Sequence, residues 1–237
     1  MGDSELAEMR LGILSGYWPG QRFTSYVNHK AYADTWGYHY IFNSTPEHET
    51  RKYFHKVETI LRYIDLFDWI FWIDDDAYFT DFNVPLTNFL ALANEEQLVI
   101  CKSPSTKKIF TKFSSGQFFL KNSPLSKQFL RDVLATDLAD VERFWQPEKH
   151  GYYASGDQES MVYLSETNAL YTDGFFKIVD HNHFNNRDFE YESRAEEHFL
   201  VHFTGTQKQK SHEEFCQRLK LNEWILPDAL SGWYRAG

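Results

Sequence analysis

Val57, Ile60, Leu61 and Ile64 recur at i, i+3, i+4 and i+7, the spacing that lines one face of a helix, and they predict a helix through 53–67. Directly after it, WIFWI (69–73) is apolar at every position. A strand that is apolar on both faces is buried on both, as at the centre of a parallel sheet. Shorter strands are predicted at 11–14, 38–42 (YHYIF), 97–101 (QLVIC), 116–120 (GQFFL) and 198–203 (HFLVHF). Helical patterns run over 21–36, with Gly37 where a C-terminal glycine cap belongs, and over 86–93, 125–134 and 213–224. Another helix begins at Asp157, with Ser155 as its N-cap. Strands and helices alternate to the end, and no linker, repeat or low-complexity tract divides the chain. The pattern predicts an α/β fold with a mostly parallel central sheet flanked by helices, in one domain over 1–237 whose first nine residues read as a disordered start.

The buried strand runs straight into three aspartates, Asp74, Asp75 and Asp76. Burying a carboxylate is costly unless it is paired, so the position of these acids asks for a reason. In open α/β sheets, ligands bind beyond the carboxyl ends of the strands. Asp74 and Asp76 can point the same way from one turn, with Asp75 directed elsewhere. Mg²⁺ or Mn²⁺ takes one or two carboxylates together with substrate phosphates. An EF-hand does not fit, because the sixth residue from Asp74 is Phe79 rather than glycine. A haloacid dehalogenase-type phosphatase does not fit either, since Tyr78 stands where it needs a threonine or valine. The glycines of SGYWPGQR match neither the dinucleotide fingerprint nor the P-loop.

Composition narrows the partners. A formal net charge of −10 argues against nucleic acid, which needs a basic surface. A phosphorylated ligand would need a metal or a local basic patch here. Aromatic residues make up 18% of the chain, enough for both a ring-rich core and stacking platforms; Tyr17, Trp18, Tyr152 and Tyr153 are candidate rings. Cys101 and Cys216 lack zinc or CxxC spacing and read as reduced thiols. His181 and His183 have HxH spacing but no evident third ligand, so they read as loop polarity. There is no signal peptide and no apolar run of membrane-spanning length, so the expectation is a soluble, cytoplasmic chain able to lie peripheral to a membrane.

WIFWIDDDAYFTD resembles the WWxDxDAxxT segment of the glycosyltransferase family that contains fungal galactomannan galactosyltransferases and plant xyloglucan xylosyltransferases. YVNHKAYADTWGYHYIF resembles that family's N…YC…HGY helix and strand, SGDQESMVYL its DQSALVYL helix, and VHFTGTQ its HFxGC segment. The four stretches occur in the family's order. The resemblance implies a GT-A, Rossmann-like fold, a UDP-sugar donor, a Mn²⁺ (or Mg²⁺) ion and transfer of a hexose, galactose or glucose, to a carbohydrate or other hydroxyl acceptor with retention of configuration. It implies that residues 10–80 form the nucleotide-binding half and 81–237 the acceptor side, which completes the metal site.

By the same resemblance Asp74 and Asp76 are the metal-binding DxD pair and His202 the third ligand. Asp157 and Gln158 face the reacting sugar, with the helix start expected to keep Asp157 ionised. Lys56, Ser115, Gly116 and Gly205 line the donor pocket. Two departures stand out: the family cysteine is Thr206, and the family's diphosphate lysine falls on Gln207, leaving Lys208 as the candidate. On the residues alone, His202 reads more often as a core histidine than a ligand, and Asp157 could be a helix-end charge. A nucleotide-sugar hydrolase and a non-catalytic sugar-nucleotide module are the rival functions.

Overall fold

The structure is a computed structural model and describes residues 9–17, 23–45, 51–104 and 110–235. The expected disordered start, apart from Met9, lies outside the described residues, as do Trp18 and the expected first residues of the 21–36 helix. The chain runs through β1 (Leu11–Gly16), α1 (Ser25–Trp36), β2 (His39–Asn43), α2 (His55–Tyr63), β3 (Trp69–Ile73) and β4 (Ala77–Phe79). Then come β5 (Leu98–Cys101), β6 (Gln117–Lys121), α3 (Pro124–Ala135), α4 (Leu138–Phe144) and α5 (Asp157–Thr167). β7 (Phe176–Val179), β8 (Leu200–His202), α6 (Lys208–Leu219) and α7 (Asp228–Arg235) complete it.

Six strands form one sheet in the order β2-β1-β3-β6-β5-β7. β1 is parallel to both β2 and β3, and β5 is parallel to β7. β6 runs antiparallel to both of its neighbours. Apolar periodicity reports burial and is silent on strand direction, so this reversal within a mostly parallel sheet leaves no mark in the pattern. β3 is buried at all five positions, as the unbroken apolar run required. Trp69, Phe71 and Ile73 join one core layer with Tyr32, Phe79, Phe119 and Phe184. Ile70 and Trp72 join the other, with Val57 and Ile60 of α2 and Phe129 and Val133 of α3. The alternation is the two-residue period of a strand with a packed layer on each face. Glycine is needed at Gly12, where a Cβ would stand 2.6 Å from the Phe67 ring.

Several elements depart from expectation. The HFLVHF segment leaves the main sheet: β8 pairs antiparallel with β4, Ala77 opposite His202, in a separate two-stranded sheet. The helix expected over 213–224 lies instead at Lys208–Leu219, stopped by Lys220 in the left-handed conformation (φ 57°). Apolar spacing continues past that stop because Leu221 and Ile225 still pack on the same small core, while Asn222 turns the chain by binding the Trp224 and Leu226 amides. The helix over 86–93 shortens to Thr87–Leu90. β4, β7, α4 and α7 were not anticipated. Gly37 does cap α1 in the left-handed conformation, φ 70°. No helix of the described residues is long and apolar enough to cross a membrane. Both cysteines are buried free thiols.

Candidate active site

The acidic turn is held from beneath by α1. Ser25, Asn28 and His29 sit at i, i+3 and i+4 on one helix face and are fully buried. Ser25 Oγ donates to the Asp75 carbonyl (2.6 Å), and His29 Nε2 meets the Ala77 carbonyl (2.8 Å). Asn28 both accepts from the Phe79 amide (2.8 Å) and donates to its carbonyl (3.0 Å). A polar face buried this way satisfies the backbone of the strand after the turn, β4, and fixes where Asp76 stands. On the other side, the Asp74 amide donates to the Gly116 carbonyl (2.8 Å) and the Phe203 amide to the Asp76 carbonyl (2.9 Å).

Asp74, Asp76 and His202 converge, with one potential ligand atom from each within 4.8 Å of the others. His202 Nε2 lies 3.2 Å from Asp76 Oδ1. That oxygen is buried and has no hydrogen-bond partner. An orphaned anionic oxygen facing an imidazole nitrogen suits a shared divalent cation, whose oxygen and nitrogen ligands these are. Gly116 makes room for the ring: a Cβ there would lie 2.5 Å from His202 Cε1.

Two ammonium groups balance the acids, and an indole N–H adds a neutral donor. Lys208 Nζ donates to Asp76 Oδ2 (2.7 Å) and lies 5.6 Å from the centre of the Phe23 ring. Lys56 Nζ stands 3.2 Å from Asp74 Oδ1 and 3.3 Å from Asp157 Oδ2, and donates to the Ser115 carbonyl at 2.8 Å. Trp72 Nε1 donates to Asp74 Oδ1 (2.7 Å). Burial would raise the Asp76 carboxyl, but His202 and Lys208 bring it well below the ordinary range. At Asp75 the raising influences win: burial, then the charges of Asp76 and Asp74, push it up to about 8 although Lys208 opposes them. Burial lowers the His202 pKa, although Asp76 opposes the shift.

A sequence profile of the galactosyl transferase GMA12/MNN10 family matches residues 21–213. The chain belongs to this family. Comparison with curated proteins finds no match. Among solved structures, the chain is similar to a glycosyltransferase involved in the glycosylation of the major capsid of PBCV-1: 16% identity over 88% of this chain and 99% of that one, with a TM-score of 0.66. It is also similar to the glycosyltransferase GlyE of Streptococcus pneumoniae TIGR4 (14% identity, 97% of this chain and 64% of that one, TM-score 0.49). Mouse xyloside xylosyltransferase 1 is a third (11% identity, 81% and 97%, TM-score 0.45). The likeness to the PBCV-1 enzyme carries the fold, a GT-A-like arrangement of a mixed sheet flanked by helices.

In this glycosyltransferase the remaining sequence candidates fall as follows. Asp157 is the first residue of α5 and is buried beside Lys56. Burial, reinforced by Asp74, raises its carboxyl although Lys56 opposes the shift, so the helix start does not by itself keep it ionised. Gln158 Oε1 accepts from the Ser115 amide (3.1 Å), which ties α5 to the Ser115–Gly116 turn. The N-cap of α5 is Gly156 and not Ser155; Ser155 adopts φ 59°, and Glu159 takes the cap amide instead (2.8 Å). A larger cap residue would crowd Tyr53, whose ring lies 3.2 Å from where a Cβ would be. Lys208, not Gln207, reaches the acidic turn. Gly205 lies on the exposed loop after β8 with φ 83°. His181 is bound by Glu190 (2.6 Å) and joins no metal cluster among the described residues. Tyr17 stacks on Phe42, Tyr152 is exposed, and Tyr153 packs on Trp145.

Sequence reasoning missed the cleft residues Lys52, Tyr53 and His55, which line the same hollow as Lys56, Trp72 and the three aspartates. It also missed the Asn185–Arg187 pair behind His202. Arg187 Nη1 donates to Asn185 Oδ1 (2.6 Å), and His202 Nδ1 lies 3.1 Å from that same oxygen. In the sequence these two residues are ordinary loop polars, and only the full burial of Asn185 and the partial burial of Arg187 against it set them apart.

Proposed function

We propose that the chain is a metal-dependent, retaining glycosyltransferase that moves a hexose from a UDP-sugar to a hydroxyl of a carbohydrate acceptor. Family membership supports glycosyl transfer, and one observation supports the metal: the unpartnered Asp76 Oδ1 turned to His202 Nε2 at the mouth of a buried strand. Asp74, Asp76 and His202 would hold Mn²⁺ or Mg²⁺, which when bound supplies a Lewis acid for the charge that develops on the leaving diphosphate.

The protein's own groups do the rest. Lys56, occupied by Asp74, Asp157 and Ser115, orients the two carboxylates and leaves contact with the diphosphate to Lys208. Lys208 is tethered only at its tip, on a side chain long enough to turn from Asp76 to a phosphate oxygen. Asp157 stabilises positive charge at the anomeric carbon, where a rigid, water-poor carboxylate is most effective. Gln158, oriented by the Ser115 amide, hydrogen-bonds a sugar hydroxyl. Ser115 and Gly116 wall the donor site, and Gly205 lets the loop before α6 turn. Residues 10–80 serve as the donor half and 81–237 as the acceptor side.

UDP release from a panel of UDP-sugars with Mn²⁺ tests the reading. Release that depends on an acceptor supports transfer. Release without acceptor makes the chain a hydrolase, and binding without turnover makes it a sugar-nucleotide module.

A further inference from the structure

Behind His202 the backbone fixes the orientation of the Asn185 amide. Asn185 Nδ2 donates to the Lys102 carbonyl (3.0 Å), which can only accept. The Asn185 amide is therefore oriented, and its Oδ1 faces the other way. That oxygen takes a hydrogen bond from Arg187 Nη1 (2.6 Å) and lies 3.1 Å from His202 Nδ1. The imidazole thus sits between two acceptors, Asn185 Oδ1 at Nδ1 and Asp76 Oδ1 at Nε2 (3.2 Å). Arg187 Nη1 is itself 3.2 Å from Nδ1 and can only donate, so a ring protonated at Nε2 would accept from Arg187 there, whereas a ring that gives Nε2 to a cation must carry its proton on Nδ1 and turn it to Asn185 Oδ1. Asn185, His202 and Asp76 are buried, and Arg187 is partly buried. A neutral ring has one proton to give to one of the two acceptors.

We propose that Asn185 is a positioning residue for the metal site: its Oδ1, anchored by Arg187 and by the Lys102 carbonyl, accepts the Nδ1 proton of His202, so that Nε2 presents a bare lone pair to the cation alongside Asp76. This rests on the proposed metal site and extends it outward by one residue. Ligating histidines commonly give their second nitrogen's proton to such an acceptor, which fixes the tautomer and the ring plane. The main-chain bonds serve the same end. The His202 amide donates to the Asn186 carbonyl (2.8 Å), which ties the acceptor's segment to the ligand's strand.

The test is Mn²⁺ affinity, read from the electron paramagnetic resonance of the free ion, for the full chain and four variants: His202→Ala, Asn185→Leu, Asn185→Asp, and the double variant His202→Ala with Asn185→Leu. Asn185→Leu is expected to weaken Mn²⁺ binding by about 10- to 100-fold. Asn185→Asp keeps an acceptor oxygen at the same distance and is expected to stay within about threefold of the parent. In the His202→Ala background, Asn185→Leu should cost nothing further, because an effect that passes through His202 is not additive with its loss. Unchanged affinity in a folded Asn185→Leu protein, with His202→Ala impaired, overturns the inference and leaves the metal reading intact. A parent chain that binds no Mn²⁺ overturns both. If Asn185→Leu fails to fold, nitrogen-15 NMR of histidine-labelled parent protein with Mg²⁺ decides: a proton on Nδ1 of His202 supports the assignment, and a proton on Nε2 overturns it.

Discussion

The ammonium of Lys56 stands 3.3 Å from Asp157 Oδ2, with both side chains almost wholly buried. The same nitrogen is 3.2 Å from Asp74, so one lysine couples the start of α5 to the acidic turn. Its partners raise its pKa although burial opposes them. Removing one member of a buried ion pair strands the other's charge, a loss of about 3–5 kcal/mol. Lys56→Met should therefore lower the urea midpoint sharply at pH 8. The stranded Asp157 carboxyl, raised by burial and no longer opposed by the lysine, is protonated more readily as pH falls, so the penalty should be smaller at pH 5. Equal destabilisation at both pH values would mean that Lys56 acts by packing alone.

The three aspartates should separate by role. Asp76→Asn removes the orphaned anionic oxygen and should abolish Mn²⁺-dependent UDP binding, measured by calorimetry. Asp75 behaves oppositely in the metal-free protein. Its carboxyl is raised by burial and by its neighbours to about 8, so the folded state binds a proton that the unfolded chain releases near pH 4. Between those values its contribution to stability falls as pH rises. Asp75→Asn should then raise the melting temperature of the metal-free protein at pH 8 by a few degrees, with less gain at pH 5. Full Mn²⁺-dependent UDP affinity in Asp76→Asn would remove this residue from the metal set.

Much of this was legible in the chain, for identifiable reasons. WIFWI could only be a strand buried on both faces, and the acids after it could only emerge at that strand's carboxyl end, so the place of the site followed from periodicity. His202 was not legible from spacing, because a histidine in an apolar strand reads as core; it came from the family resemblance. β4 and β8 form their own small sheet because α1 offers Ser25, Asn28 and His29 to the backbone after the turn, and that is a tertiary choice. Asn185 and Arg187 were invisible, since their chemistry depends on burial created by segments far away in sequence. The sign of the Asp157 shift was misjudged, because the helix start was weighed without the burial that surrounds it.

His29 provides a pH test away from the candidate metal site. It is fully buried, with Nε2 on the Ala77 carbonyl, and burial lowers its pKa to about 4. A histidine whose folded pKa lies below its unfolded value contributes stability that is complete above about 6.5 and is lost as pH falls toward the folded value. Urea unfolding between pH 6.5 and 4.5 should show stability falling by up to about 1.4 kcal/mol per pH unit from this residue. His29→Gln, which retains a donor for Ala77, should flatten the profile by that amount. An unchanged slope would assign the acid sensitivity to other buried histidines.

Asp157 carries the most exposed expectation. In a retaining transfer the acceptor enters on the face from which UDP leaves, and positive charge develops at the anomeric carbon between them. A carboxylate at the first residue of α5, fixed by Lys56 and backed by the Gln158–Ser115 bond, can meet that charge without rearranging. Asp157→Asn keeps the shape and removes the charge, so kcat should fall by about 10²-fold or more while Mn²⁺ and UDP binding stay near normal. Because burial raises this carboxyl, kcat should also decline on acidification, at a pH above the ordinary carboxylate range, as Asp157 takes up a proton, and that decline should vanish in Asp157→Asn. NMR of the product's anomeric proton should report an α linkage from an α-configured donor. A β linkage would contradict retention, and near-normal turnover in Asp157→Asn would reduce this residue to a charge at the end of a helix.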